Sequence, residues 1–307
     1  MRGIVFKSTG SWYKVKTAEG TLLDCRLKGK LKLTKTGVTN PIAVGDNVEL
    51  ELEDGQETQA VISEIYDREN YIIRKSVHKN NQAHILASNI DQLVIIASLT
   101  MPRTSLGFID RLLVSAESYG IPARVIFNKV DLLDEEELEF VGILAEMYAS
   151  IGYPAMLTSA ETGLNVEAFS QLLSEKITLL SGHSGVGKST LVNAIAPHLQ
   201  LNTKEISTYA NKGKHTTTYA EMFELSKDTF IIDTPGIKEL GLIEMEGENL
   251  SRYFPEMRAI SNQCKFHNCS HRHEPGCAVL LALDQGKLSI TRYESYVSML
   301  EGHDNRR

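Results

Sequence analysis

"LLSGHSGVGKST", Leu179 to Thr190, decides the reading of this chain. The apolar run Ile177-Thr178-Leu179-Leu180 enters a loop of form G-x-x-x-x-G-K-[ST], here Gly182, His183, Ser184, Gly185, Val186, Gly187, Lys188 and Ser189, with Thr190 next. That is the strand-loop-helix setting the pattern requires. Glycines at 182, 185 and 187 let the backbone turn tightly and aim its N–H groups at phosphate oxygens, and a helix through Leu191, Val192 and Ile195 adds its positive end. Lys188 supplies a point charge to the β- and γ-phosphates, and the Ser189 hydroxyl is placed for Mg²⁺. A glycine-rich turn without a ligand is the plain alternative, and the full eight-position pattern argues against it. The loop predicts a bound nucleotide.

The bulk numbers set the frame around it. At 307 residues the chain exceeds the ~250 at which single cores stop growing, so two or three domains are expected. The opening MRGIVFKSTGSWYKV has strand-like alternation rather than the apolar core of a secretory leader, and no apolar run approaches the roughly 20 residues of a membrane span. A cytoplasmic protein with no membrane partner is expected. Formal net charge is −7, yet residues 1 to 36 carry nine basic side chains against Glu19 and Asp24, nine minus two giving +7. A basic module therefore rides on an acidic body. Its lysines with Phe6, Trp12 and Tyr13 would suit an RNA surface; a solvated lysine face with the aromatics in the core is the competing reading.

Three segments follow. Residues 1–67 read as five short strands, GIVFKSTG, SWYKVKTAEG, TLLDCRLKGKLKL, VGDNVELELEDG and QAVISEIYD, punctuated by turns, which predicts an all-β barrel of the OB-fold kind. Over 68–241 apolar strands (92–99, 123–130, 153–159, 177–182, 219–225 and 229–234) alternate with amphipathic helices, which predicts an α/β domain with a mostly parallel sheet. Residues 242–307 turn helical around a cysteine-rich stretch.

Further boxes flank the loop. Asn128-Lys129-Val130-Asp131 closes an apolar strand and has the form N-K-x-D. Asp131 would accept paired hydrogen bonds from guanine N1–H and the 2-amino group, donors that adenine lacks there. Asn128 would tether the loop to the phosphate region, and Lys129 would lay its stem along the base or sugar. Thr158-Ser159-Ala160 matches an S-A box whose backbone N–H meets guanine O6, so Ser159 and Ala160 join the candidates. Asp233-Thr234-Pro235-Gly236 matches D-x-x-G: Asp233 would hold Mg²⁺ through water and the Gly236 N–H would meet the γ-phosphate. Between the loop and this box, Lys212 to Thr218 carries the switch threonine for Mg²⁺; spacing to Asp233 favours Thr217, with Thr216 and Thr218 as alternatives.

Cys264, Cys269 and Cys277 crowd together with histidines at 267, 271 and 273, whereas Cys25 stands alone. Three thiolates and one imidazole form a closed tetrahedral set suited to one structural Zn²⁺, with no coordination position left for catalysis. Reduced cysteines buried as small hydrophobes are the bland alternative.

In the usual GTPase order the phosphate loop comes first and the base boxes last; here NKVD and TSA precede it, which is a circular permutation. The barrel, the order NKVD-TSA-GHSGVGKST-KHTTT-DTPG and the cysteine-rich tail together resemble the circularly permuted GTPases of ribosome assembly, most closely the small-subunit-dependent RsgA family, over essentially the whole chain. The resemblance implies an N-terminal OB-fold, GTP/GDP and Mg²⁺ as ligands, hydrolysis stimulated by the small ribosomal subunit, contact with its rRNA, a role in late subunit maturation and release on hydrolysis. It also selects His271 as the fourth zinc ligand. Ile237 follows Gly236 where many GTPases place a water-orienting glutamine. A substitute is therefore expected, either His215, as the resemblance implies, or a group supplied by the ribosome; with Lys188 and Thr217 it completes the candidate catalytic set. A monomer is expected. Two other classes remain in view: a different P-loop enzyme such as an ATPase or small-molecule kinase, and an RNA-binding module that keeps nucleotide only as a structural ligand.

Overall fold

The computed structural model describes residues 1–29, 40–52, 58–75, 83–201, 220–233 and 247–302. Its strands are β1 (Arg2–Ser8), β2 (Tyr13–Thr17), β3 (Leu22–Leu27), β4 (Asn47–Leu52), β5 (Gln59–Ile65), β6 (Tyr71–Lys75), β7 (Ala83–Ser88), β8 (Gln92–Ala97), β9 (Ala123–Phe127), β10 (Ala155–Leu157), β11 (Ile177–Ser181), β12 (Glu221–Ser226) and β13 (Thr229–Asp233). The helices are α1 (Leu106–Ser118), α2 (Glu135–Ser150), α3 (Val166–Leu173), α4 (Lys188–Ile195), α5 (Pro255–Arg258), α6 (Ala278–Asp284) and α7 (Ile290–Leu300). The chain divides into two compact units: Met1–Leu93 with Glu167–Ser181 and Lys188–Leu240, and Val94–Val166 with Gly182–Gly187 and Gly241–Arg307.

In the first unit β1 to β5 close on themselves. β1 pairs antiparallel with both β2 and β4, β2 with β3, β4 with β5, and β3 runs parallel to β5, so the ring has no free edge. Period-two alternation fills it: Val5, Tyr13, Val15, Leu23, Cys25, Val48, Leu50 and Ile62 point inward. Gly3 sits where a Cβ would come within 2.6 Å of Val15 Cγ1, so a side chain would wedge the closure open. Only part of the aromatic trio is available to a partner. Phe6 and Tyr13 are buried, whereas Trp12 is 42% exposed with the Arg26 guanidinium over its ring at 4.7 Å. The alternation that makes a barrel core requires this, because Tyr13 shares its face with Val15. Several lysines are also paired, Lys7 with Glu221 at 2.8 Å, Lys28 with Glu51 at 2.6 Å, and Lys16 with Glu224.

Past the barrel, β6 and β7 form an antiparallel pair absent from the sequence-based expectation. Asp46, fully buried, ties this pair to the barrel: it accepts from Arg68 at 2.6 and 2.7 Å, from the Ala43 N–H at 2.8 Å and from Ser88 Oγ. β1 continues into the nucleotide-type sheet by pairing with β12, which is antiparallel to β13; β13 is parallel to β11.

The second unit holds the parallel strands β9 and β10, together with α1 and α2. Ser105 caps α1 by accepting from the Phe108 N–H, and Asp134 with Glu137 forms a capping box on α2. Its C-terminal segment is helical, and Leu250, Phe254, Met257, Val279, Tyr296 and Met299 pack there with Val114 of α1. Arg292 of α7, almost completely buried, donates to Asp110 of α1 at 2.7 Å and to Glu256 of α5 at 2.7 Å, while the Tyr148 hydroxyl donates to Asp110 at 2.9 Å. Among the described residues no helix is long and apolar enough to cross a membrane.

Candidate nucleotide and metal sites

The candidate base-binding boxes lie in the second unit, and local backbone geometry places each. β9 ends at Phe127, where the buried Asn128 donates its backbone N–H to Ala97 O (2.8 Å) and its Nδ2 to Val186 O (2.9 Å). The Thr158 hydroxyl donates to Asn128 Oδ1 at 3.1 Å, so both ends of the carboxamide are held. Gly187, at φ +97°, packs so closely that a Cβ there would lie 2.3 Å from Asn128 Nδ2. Gly182, at φ +145°, is equally committed, because its Cβ would strike Ile96 O at 2.1 Å. These two glycines permit the close approach that draws the loop onto the strand ends.

Lys129 takes the left-handed conformation, φ 66°, and its Nζ donates to Met101 O at 2.9 Å. Asp131 is exposed, and one carboxylate oxygen accepts from the Ser159 hydroxyl. Ser159 Oγ in turn accepts from the Thr162 N–H at 3.1 Å, and the Ser159 N–H donates to Leu164 O at 3.1 Å. Among the described residues the Ala160 and Glu161 amides at that turn are bonded to no other group, so the Ala160 N–H is open to an incoming acceptor. His183 stacks on Phe108 of α1, ring centroids 3.9 Å apart, and Gly185 sits against Pro102.

The candidate cation-binding residues lie in the first unit, which resumes at Lys188, the residue bonded to Gly187. Parallel pairing of β11 with β13 sets Leu180 opposite Asp233, so the carboxylate lies beside the C-terminal end of β11. Burial pushes the Asp233 carboxyl up to about 6, Lys188 partly offsets this and Glu221 adds to it. A half-buried carboxylate in that condition, with the buried Ser189 in the same unit, fits a divalent cation, whose charge would offset the desolvation. Thr190, on the outer side of α4, is exposed. His215, Thr217 and Gly236, with the alternatives Thr216 and Thr218, lie outside the described residues.

In the second unit Cys264, Cys269, His271 and Cys277 offer four donor atoms that all lie within 4.8 Å of one another. Cys264 Sγ is 3.6 Å and Cys277 Sγ 3.5 Å from His271 Nδ1, and the two sulfurs are 4.0 Å apart. Zinc–sulfur and zinc–nitrogen bonds of about 2.3 and 2.0 Å give tetrahedral edges of roughly 3.5–3.8 Å, so the set fits zinc. Burial lowers the His271 pKa toward the neutral, ligating form and pushes the Cys269 thiol up to about 12 in the metal-free state. His267 and His273 are not in the cluster. Glu274 is the residue that sequence reading missed: it accepts from the backbone N–H groups of Ser270 (2.7 Å), Arg272 (3.0 Å) and His273 (3.2 Å), which bends the chain so that His271 points inward. From α7, Tyr293 and Tyr296 donate to His271 O and Ser270 O, each at 2.8 Å.

With this geometry in place, comparison with known proteins is decisive. Residues 65–243 match the RsgA GTPase family and residues 2–62 the RsgA N-terminal domain. The chain belongs to the RsgA GTPase family. A small ribosomal subunit biogenesis GTPase RsgA from Bacteroides fragilis is 52% identical over 98% of this chain and 96% of its own length. One of the same description from Cytophaga hutchinsonii is 50% identical over 100% of both. Among solved structures, YjeQ from Thermotoga maritima superposes with a TM-score of 0.79 at 34% identity, covering 100% of this chain and 99% of that one. YloQ, a circularly permuted GTPase, gives 0.75 at 29% identity, covering 100% and 96%. The permuted RsgA fold, its GTP hydrolase activity and its use of GTP, GDP and Mg²⁺ are therefore properties of this chain.

Proposed function

We propose that this RsgA-family GTPase binds the small ribosomal subunit and acts late in its maturation, with hydrolysis stimulated by the subunit and coupled to release. The carrying observation is the preset base site: Asn128 held by Thr158 and Val186, and Asp131 oriented by Ser159 with its carboxylate open to solvent. Asp131 selects guanine, the Ala160 N–H meets O6, and Lys129 flanks the base. The backbone from Gly182 to Ser189, with Lys188, binds the β- and γ-phosphates, and Ser189, Thr217 and Asp233 hold Mg²⁺. The cation, when bound, neutralises charge developing on the phosphate oxygens. Gly236 contacts the γ-phosphate, and His215 orients the attacking water in place of the glutamine that Ile237 displaces. Residues 1–67 form the rRNA-binding barrel, with Trp12 and Arg26 on its exposed surface; 68–241 form the GTPase domain, and 242–307 a domain stapled by one structural zinc at Cys264, Cys269, His271 and Cys277. The protein works as a cytoplasmic monomer.

The test is GTP and ATP hydrolysis with and without purified small subunits. A GTP-only rate that rises at least ~10-fold with small but not large subunits is expected. Base-indifferent or unstimulated turnover refutes the ribosomal part of the reading. His215→Ala should lower the stimulated rate while leaving GTP affinity intact; an unchanged rate removes His215 from the catalytic set.

A further inference from the structure

Helix α2 has a second face that the nucleotide site does not use. Val141, Leu144, Ala145 and Tyr148 are buried and fix its inward side. On the outward side Phe140 is 47% and Ile143 57% exposed, and Met147 is half-buried. Spacings of three and seven residues align these three in one stripe. Glu136 continues the stripe one turn earlier, and Glu139 and Glu146 run beside it, all exposed. None of the three is ion-paired among the described residues. Along the chain on either side of α2 the charge has one sign: from Val130 to Val166 there is no Lys, Arg or His.

A single exposed apolar side chain is ordinary surface, but an aromatic and two aliphatic groups in register along one helix form an anchor set. What covers it follows from charge. Unpaired carboxylates at the head of the stripe and along one flank repel phosphate, so RNA is excluded from this face even though the same chain begins with a basic module. A polypeptide rich in lysine and arginine is complementary to it: its apolar side chains would cover Phe140 and Ile143 while its cations meet the glutamates. We propose that α2 docks a lysine- and arginine-rich protein segment of the small ribosomal subunit, anchored on Phe140 and Ile143 and steered by Glu136, Glu139 and Glu146. This rests on the ribosomal reading above.

The test uses the full chain with p-benzoylphenylalanine in place of Ile143, bound with a nonhydrolysable GTP analogue to purified small subunits, irradiated and analysed by mass spectrometry. The expected product is a cross-link to a basic segment of a subunit protein, reduced about fivefold or more by Glu139→Lys with Glu146→Lys. Glu139→Gln with Glu146→Gln should give an intermediate loss, and both pairs should leave basal GTP hydrolysis and thermal stability unchanged. Cross-links to rRNA, to a second copy of this chain or to a protein segment without basic character overturn the proposal. So do unaltered yields in both charge variants, and so does an absence of cross-links in a protein that still cosediments. If the unsubstituted protein does not cosediment with small subunits, the ribosomal reading fails and this proposal fails with it; failure with cosedimentation intact is failure of the docking face alone.

Discussion

The base site and the cysteine–histidine knot lie in the same unit and are built on opposite principles. The base site draws together residues far apart in the chain: Asn128 and Val186 are 58 positions apart, Thr158 and Asn128 30, Ser159 and Asp131 28. Every one of these links is a hydrogen bond between protein groups, so the site holds its shape before the ligand arrives. The knot gathers its donors from within 13 positions, Cys264 to Cys277, and what they offer one another without a metal is thiol sulfur and an imidazole whose pKa burial lowers. A site that contributes to its own fold can wait for its ligand; a site made of ligand atoms needs the ligand to fold.

The largest expected effect tests that contrast directly. Removing the metal with a strong chelator, or making Cys269→Ser, should abolish hydrogen-exchange protection across residues 260–280, because structural zinc supplies roughly 10–16 kcal/mol in small zinc modules. Protection of β9 and the Asn128 amide should persist. If the knot keeps its protection without metal, its hydrogen bonds to Glu274 and from Tyr293 and Tyr296 suffice and the contrast collapses.

Between these extremes lies a third kind of cohesion. Arg292 joins α7 to Asp110 and Glu256 in a buried cluster. Arg292→Met would leave two carboxylates without their cation, which costs about 3–5 kcal/mol for a buried pair broken from one side. Urea unfolding should report that loss. Adding Asp110→Asn and Glu256→Gln to the same chain should recover part of it, since the uncompensated charge, more than the missing contact, carries the cost. A variant as stable as the parent would show that water reaches the triad.

A smaller effect separates selection from scaffolding. Asp131→Asn keeps an oxygen for the Ser159 hydroxyl but turns an amide donor toward the guanine donors, a loss of roughly 3 kcal/mol, or ~100-fold in GTP affinity. The unfolding midpoint should not move. Xanthosine triphosphate, with an oxygen at C2, should bind the variant better than GTP does; equal weakening of both nucleotides would mean Asp131 only supports the loop.

The sequence was informative where chemistry is contiguous. GHSGVGKS, NKVD and the cysteine cluster can be read because covalent spacing alone brings their atoms together, and the permutation follows from their order. It was silent where partners meet only after folding. Nothing near Glu274 marks it as the acceptor for a metal turn, and Phe108 lies 75 positions before the His183 ring it stacks on. The β6–β7 pair escaped for a different reason: a register shift between Ile72 and Ile73 breaks the period of two by which strands are recognised. Phe6 and Tyr13 show the converse. Their composition suited an RNA face, but the inward phase of Tyr13 put it in the barrel core, and Phe6, next to the inward Val5, is buried edge-to-face on Phe230.

Thr158 is the finest probe of the preset base site. Its buried side chain donates one hydrogen bond to Asn128 Oδ1, and its backbone is separately engaged, the N–H by Phe127 O and the carbonyl by the Val130 N–H. Thr158→Val therefore removes one donor with little change in shape and leaves the strand end in place. If that bond sets the carboxamide orientation, Asn128 loses its hold at one end, and GTP affinity should fall by about 1 kcal/mol, near fivefold, with stability almost unchanged. If affinity is unaltered, the close approach of Gly187 and the bond to Val186 O already fix Asn128, and the rigidity of the site is a matter of packing against glycine rather than of the hydrogen-bond chain. Gly187→Ala then becomes the sharper lesion, because a methyl 2.3 Å from Asn128 Nδ2 must displace either the loop or the carboxamide.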